Sequence, residues 1–170
     1  MIRIKRGSHA YILLCFMGLI GELPYKSLHL LGNAQTVRRV VEKMCVKEEY
    51  INDETKEVFE VKAFIQSGAG NKHTIRLSKK ALKLLDWVGM RKFYDDVTYN
   101  CNMPGDEVHV YRNHRMAEVL FIMYRAGANY LPTTIPILEY KGFDYSSVKS
   151  TCFYPSRLIK NMNKDECVKL

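Results

Sequence analysis

The five cysteines, Cys15, Cys45, Cys101, Cys152 and Cys167, form no CxxC pair. Their scatter and odd number argue against a disulfide framework, and no zinc-ligand spacing is present. Reduced thiols in a cytoplasmic protein account for them. A GxxxxGK(S/T) loop is also missing, which argues against ATP hydrolysis. No apolar run reaches the roughly 20 residues that span a bilayer. The stretch from Ala10 to Ile20, behind Arg3, Lys5 and Arg6, has the pattern of a signal peptide. Cleavage there would delete a helix that the following segment needs as a packing partner, so a retained helix is expected. There is no internal repeat and no low-complexity tract.

What is present is an apolar content of 47% in 170 residues, enough for one packed domain or two small ones. The formal net charge is +8, from 26 basic and 18 acidic residues. It is unevenly placed: residues 1–90 carry +6 and residues 91–170 carry +2. A basic half suits a polyanion such as nucleic acid, or an anionic membrane surface; it also simply keeps a protein soluble.

The chain is organised around Leu23 to Met44, which reads as a short helix, a turn at Gly32-Asn33 and a second helix. Leu28 and Leu31 lie three apart on the first. Val37, Val40, Val41 and Met44 follow i, i+3, i+4, i+7 on the second, a single apolar stripe. Asn33 suits the N-cap, because its side-chain oxygen can accept from an unpaired N–H of the first turn. Burial of the stripe leaves Gln35, Thr36, Arg38, Arg39 and Lys43 pointing outward. In a helix-turn-helix such residues face the major groove, where Arg pairs with guanine and Gln with adenine. Two amphipathic helices of an ordinary α-rich core would share the pattern.

Upstream, residues 9–21 predict a continuously apolar support helix stopped by Gly21, and the next helix starts near Pro24. Downstream the period changes. Residues 57–66 place Phe59, Val61, Ala63 and Ile65 on one face of a strand. A tip at Ser67-Gly68-Ala69-Gly70-Asn71 follows, then a strand over Thr74–Ser78 with Ile75 and Leu77 inward. A hairpin directly behind a helix-turn-helix reads as a wing. Lys72, His73 and Arg76 at or near its tip could meet phosphate or the minor groove. Ser78 is expected to cap a fourth helix from Lys79 to Val88, ended by Gly89. Lys79 and Lys80 then occupy a first turn where the helix dipole disfavours cations, a conflict that a bound anion would offset or that two surface lysines simply tolerate at a cost of about a few tenths of a kcal/mol.

A composition shift over residues 90–110 marks an expected boundary. Beyond it a largely buried helix from Asn113 to Ala126, with Met116, Val119, Leu120, Met123 and Tyr124 on its apolar face, ends at Gly127. Strands over Ile135–Tyr140 and Thr151–Tyr154 and a short helix over Pro155–Met162 follow.

The segments GELPYKSLHLLGNAQTVRRVVEKM and KHTIRLSKKALKLL resemble winged helix-turn-helix proteins of bacterial plasmids and integrative elements, the replication-relaxation family in particular. RNHRMAEVLFIMYRAG and CFYPSRLIKNM are similar to the second part of that family's proteins. The resemblance covers most of the chain through loose hydrophobic and basic patterns, without a catalytic signature. It implies a DNA-binding winged helix joined to a nuclease-like domain, acting with replication or relaxosome proteins on mobile DNA. The second part here is shorter than the family's, so a nuclease-like domain would be truncated.

Two constellations bear on chemistry. Glu139-Tyr140-Lys141 is an ExK tripeptide at a strand end, the arrangement in which a carboxylate binds Mg²⁺ and a lysine orients water. It needs a second carboxylate; Asp144 is too near in sequence, leaving Asp106 or Glu118. His114 and Glu118 lie i, i+4 on a helix, a spacing that can share a metal, or simply a solvated or capping pair.

The expectation is therefore an α+β chain. Residues 1–90 would form a winged helix-turn-helix of three helices, a hairpin wing and a fourth helix, and residues 106–170 a small α/β unit. Its function would be sequence-selective binding of double-stranded DNA, as a regulator, replication accessory or relaxosome component, with no cofactor, no membrane and a possible homodimer. The alternatives are a Mg²⁺-dependent restriction-like nuclease using Glu139 and Lys141, and a protein-interaction module on the same scaffold.

Overall fold

The computed structural model describes residues 1–95 and 107–127 of the chain, and over them the protein is a mixed α+β structure of helices and two small sheets. Helix α1 (His9–Ile20) is its centre. Ser8 accepts a hydrogen bond from the Tyr11 N–H at 3.3 Å, and Gly21 ends the helix in the left-handed region at φ 84°. Every residue from Ile12 to Ile20 is buried, as the apolar run predicts for a helix surrounded by packing partners. Gly18 allows the closest approach: a Cβ there would lie 2.5 Å from the Cβ of Met90.

After Gly21 the chain enters strand β2 (Glu22–Pro24), then a 3₁₀ segment (Tyr25–Leu31), the turn at Gly32-Asn33 and helix α2 (Ala34–Met44). The helix expected from Pro24 is thus a 3₁₀ segment, with Pro24 itself closing an edge strand, where its missing N–H leaves no ladder bond unmade. In α2, Val37, Val41 and Met44 are fully buried and Val40 half-buried, as the stripe requires.

Two three-stranded sheets flank these helices. The first joins β1 (Ile2–Ile4) in parallel to β3 (Glu48–Asn52), which pairs antiparallel with β4 (Val58–Val61). The second has the order β2-β6-β5, all antiparallel, with β5 (Phe64–Ser67) and β6 (Thr74–Leu77) forming a hairpin around residues 68–73. The single strand expected over 57–66 is therefore two strands in different sheets. Ala63 and Phe64, adjacent in sequence, are both buried, which breaks the alternation and turns Ile65 outward at 44% exposure.

The expected fourth helix begins as a 3₁₀ turn (Lys79–Ala81) and becomes helical only as α3 (Leu82–Trp87); the Ser78 side chain caps neither. Helix α4 (Glu107–Arg125) starts six residues before the expected Asn113. Its buried face is Asn113, His114, Ala117, Leu120 and Phe121, whereas Val119 is 55% exposed. The expected face was offset because two polar residues, Asn113 and His114, point inward. Although α4 falls beyond the expected boundary, it packs on α1: the Phe16 and Phe121 rings meet edge to face at 4.9 Å, within one common core. The strands expected over Ile135–Tyr140 and Thr151–Tyr154, the helix over Pro155–Met162, and Glu139 and Lys141 lie outside the described residues.

Candidate nucleic-acid interface

Helix α2 presents its polar face because its apolar stripe is anchored on α1 and the 3₁₀ segment. Gln35, Thr36, Arg38, Arg39 and Lys43 are all exposed. Among the described residues, no ion pair holds Arg38, Arg39 or Lys43. The helix start is fixed by Asn33, whose Oδ1 accepts from the Thr36 N–H at 3.0 Å and from Thr36 Oγ1 at 3.3 Å. Asn33 and Thr36 are thereby engaged in capping, which leaves the Asn33 amide NH₂ and the residues one turn on for outside contacts. The face carries one acid, Glu42, which accepts from the Tyr25 hydroxyl at 3.3 Å.

The hairpin treats its cations differently. Lys72 pairs with Glu107 of α4 at 2.9 Å, both about half-exposed. The hydrogen bond to Glu107 raises the Lys72 pKa, and the same bond lowers that of Glu107. His73 stacks on Tyr25, with ring centroids 4.4 Å apart, and its Nε2 lies 3.2 Å from Gln66 Oε1. Arg76 does not reach the tip, contrary to the expectation of a phosphate contact there. It is the cross-strand partner of Glu22, and strand pairing puts both side chains on one face. Its Nε and guanidinium nitrogen each meet Glu22 Oε2 at 3.0 Å. Glu22 is fully buried, and its other oxygen accepts from Asn113 Nδ2 at 2.7 Å. A buried carboxylate satisfied on both oxygens is a structural tie between β2, β6 and α4.

Lys79 and Lys80 are exposed but separated from the hairpin tip by the length of β6, about 13 Å at the usual rise per residue. They sit in the 3₁₀ turn ahead of α3 and not in its first turn, because the α-helix starts at Leu82. His114 and Glu118 are engaged separately. Glu118 accepts from the Ser27 hydroxyl, while His114 is buried with Nε2 unpartnered. Desolvation lowers the His114 pKa, against the opposing pull of Glu22 and Glu118. Among the described residues no cluster of three His, Cys, Asp or Glu is placed to hold a metal ion. Burial pushes the Cys15 thiol up to about 12, which leaves it protonated and inert.

Three residues that the sequence did not single out complete the interface. Tyr25 lies between α2 and the hairpin, Lys26 Nζ donates to Asn71 Oδ1 at the tip at 3.1 Å, and Gln66 Nε2 lies 3.4 Å from Cys45 Sγ at the end of α2. The spacing from Tyr25 to His73 is too long for any local pattern to report. No helix of the described residues is long and apolar enough to cross a membrane. Comparison with family models, with curated proteins and with solved structures finds no match to this chain.

Proposed function

We propose that this chain is a double-stranded DNA-binding protein of the winged helix-turn-helix type, with α2 as the reading helix and the β5–β6 hairpin as the wing. The order α1, β2, 3₁₀ segment, α2 supports that reading, as does a sheet in which the strand between the first helices pairs with the hairpin's second strand; the hairpin follows α2 not directly, as the sequence suggested, but after β3 and β4 of the other sheet. The observation that carries it is the cationic face of α2, where Arg38, Arg39 and Lys43 are exposed with no ion pair among the described residues and Tyr25 bridges Arg38 to His73 of the hairpin.

Binding energy comes from Lys and Arg neutralising phosphates and releasing counterions; selectivity comes from Gln35, Arg38 and Arg39 at base edges. The hairpin tip follows the backbone beside the groove. Lys72 exchanges Glu107 for a phosphate, at small cost because an exposed ion pair of this kind contributes only ~0–1 kcal/mol. Arg76 and Glu22 hold the hairpin in place and do not touch DNA. Replication or transfer of mobile DNA is the setting that the family resemblance suggests for this activity.

The test is the ratio of absorbance at 260 and 280 nm of the protein as first purified, then selection of bound duplexes from a random pool. Nucleic acid should co-purify at low salt, and a consensus should emerge. The logarithm of the binding constant should fall linearly with the logarithm of salt concentration, by about 0.9 per phosphate contacted. Absence of duplex binding at low salt, measured by fluorescence anisotropy, overturns the proposal.

A further inference from the structure

We infer that Tyr25 is a positioning residue that fixes the wing tip against the reading helix, and so sets sequence selectivity without reading a base itself. The inference rests on the DNA-binding reading above and concerns how the two DNA-contacting parts are held in register.

Tyr25 is the first residue of the 3₁₀ segment and touches both parts at once. On one side its ring stacks on His73 of the hairpin tip, 19° from parallel. On the other it serves α2 through two residues one turn apart. The Arg38 guanidinium lies 5.7 Å from the ring centroid, within cation–π range, and the hydroxyl donates to Glu42 Oε1. A second route closes the circuit, from His73 through Gln66 to Cys45 at the end of α2. The tip needs such a tie. It turns on Gly68 and Gly70, both at positive φ (74° and 57°), and its side-chain ties from Lys26 to Asn71 and from Lys72 to Glu107 do not involve α2.

The Tyr25 backbone makes its own contribution, because its N–H donates to the His73 carbonyl at 3.0 Å. A side-chain substitution leaves that bond in place. The strand pairing therefore survives in Tyr25→Ala, while the link between Arg38 and the tip is cut. Arg38 also loses the surface that limits its rotamers, and an arginine free to sample several orientations discriminates less between bases.

The experiment measures affinity for a duplex selected from a random pool and for a scrambled duplex of equal length, by anisotropy, with a thermal melt of each variant. In Tyr25→Ala and in His73→Ala the selected duplex should lose about tenfold more affinity than the scrambled one, roughly the readout of one base pair. Tyr25→Phe keeps the ring and should retain most of the selectivity. The double variant should be no worse than His73→Ala alone, because His73→Ala already cuts both routes, through Tyr25 and through Gln66. If Tyr25→Ala proves too unstable, His73→Ala carries the test alone. Equal losses on both duplexes, wild-type selectivity in the Ala variants, or a Phe variant as defective as Ala overturns the inference. Loss of binding in Arg39→Ala alongside a neutral Tyr25→Ala overturns this inference alone. A wild-type protein that binds no duplex overturns it together with the DNA-binding reading.

Discussion

Helix α2 and the β5–β6 hairpin carry cations at comparable density, and the fold treats the two sets in opposite ways. On α2, Arg38, Arg39 and Lys43 stand in solvent with no acidic partner among the described residues. On the hairpin, Arg76 is tied to buried Glu22, Lys72 to Glu107, and His73 lies flat on Tyr25. The difference follows from geometry. An amphipathic helix leaves its polar face outside, whereas a strand in the middle of a sheet must match each side chain to whatever its neighbours place beside it. Charge in a sequence therefore reports availability well on a helix face and poorly on a central strand such as β6.

The sharpest way to break the contrast is Arg76→Ala. It strands the Glu22 carboxylate in the interior with only the Asn113 amide, and removal of one member of a buried pair costs ~3–5 kcal/mol. Urea unfolding should show that loss. An unchanged unfolding midpoint with a reduced salt dependence of DNA binding would instead return Arg76 to the DNA surface. Arg38→Ala and Arg39→Ala should do the reverse. Each should leave stability within about 0.5 kcal/mol and weaken binding of the selected duplex by ~1–3 kcal/mol, with relaxed specificity at one position.

Acid probes the same tie. His114, facing Glu22 of β2, Arg76 of β6, the Asn71 backbone at the tip and Glu118 on its own helix, has its pKa lowered by burial. Between its lowered folded-state value and the unfolded value near 6.5, the unfolded chain holds more protons, so stability rises with pH across that window. Its contribution is intact above about pH 6.5 and is lost as the pH falls through the folded-state value. Melts between pH 7.5 and 5 should show it, and His114→Gln should flatten it. The carboxylates Glu48, Glu57 and Glu107, whose pKa values are lowered by their hydrogen-bond partners, act below 4.5, in a separate window. The smallest effect belongs to Lys72→Ala, which should lower the salt slope by no more than about one. Glu107→Gln should raise affinity slightly by freeing Lys72; a fall would show that Glu107 holds the tip in its binding position.

The sequence made the local features legible. Helix α1, the Asn33 cap, the buried stripe and open face of α2, the glycine tip and the inward Ile75 and Leu77 all follow from periods and caps within a few residues of each other. The pairings between distant segments were not legible. Strand β3, EEYIN, carries two adjacent acids that mask its strand character, and it is the middle strand of its sheet, paired with nearby β4 on one side and in parallel with β1 from 48 positions upstream on the other. The division at Lys62-Ala63 likewise depends on which sheet recruits each half. At the interface, the α2 residues could be named from spacing, but the engagement of Arg76 depends on Glu22, whose place opposite it comes only from sheet order. Tyr25 was hidden for the same reason.

Whether α2 is the surface that meets DNA is tested most directly by anisotropy titration of a labelled selected duplex with the wild-type protein and with the double variant Arg38→Ala/Arg39→Ala, at equal salt and with urea unfolding in parallel. Duplex binding through α2 predicts that the double variant loses at least about tenfold in affinity while its unfolding midpoint stays in place. Equal affinities for the two proteins would contradict it.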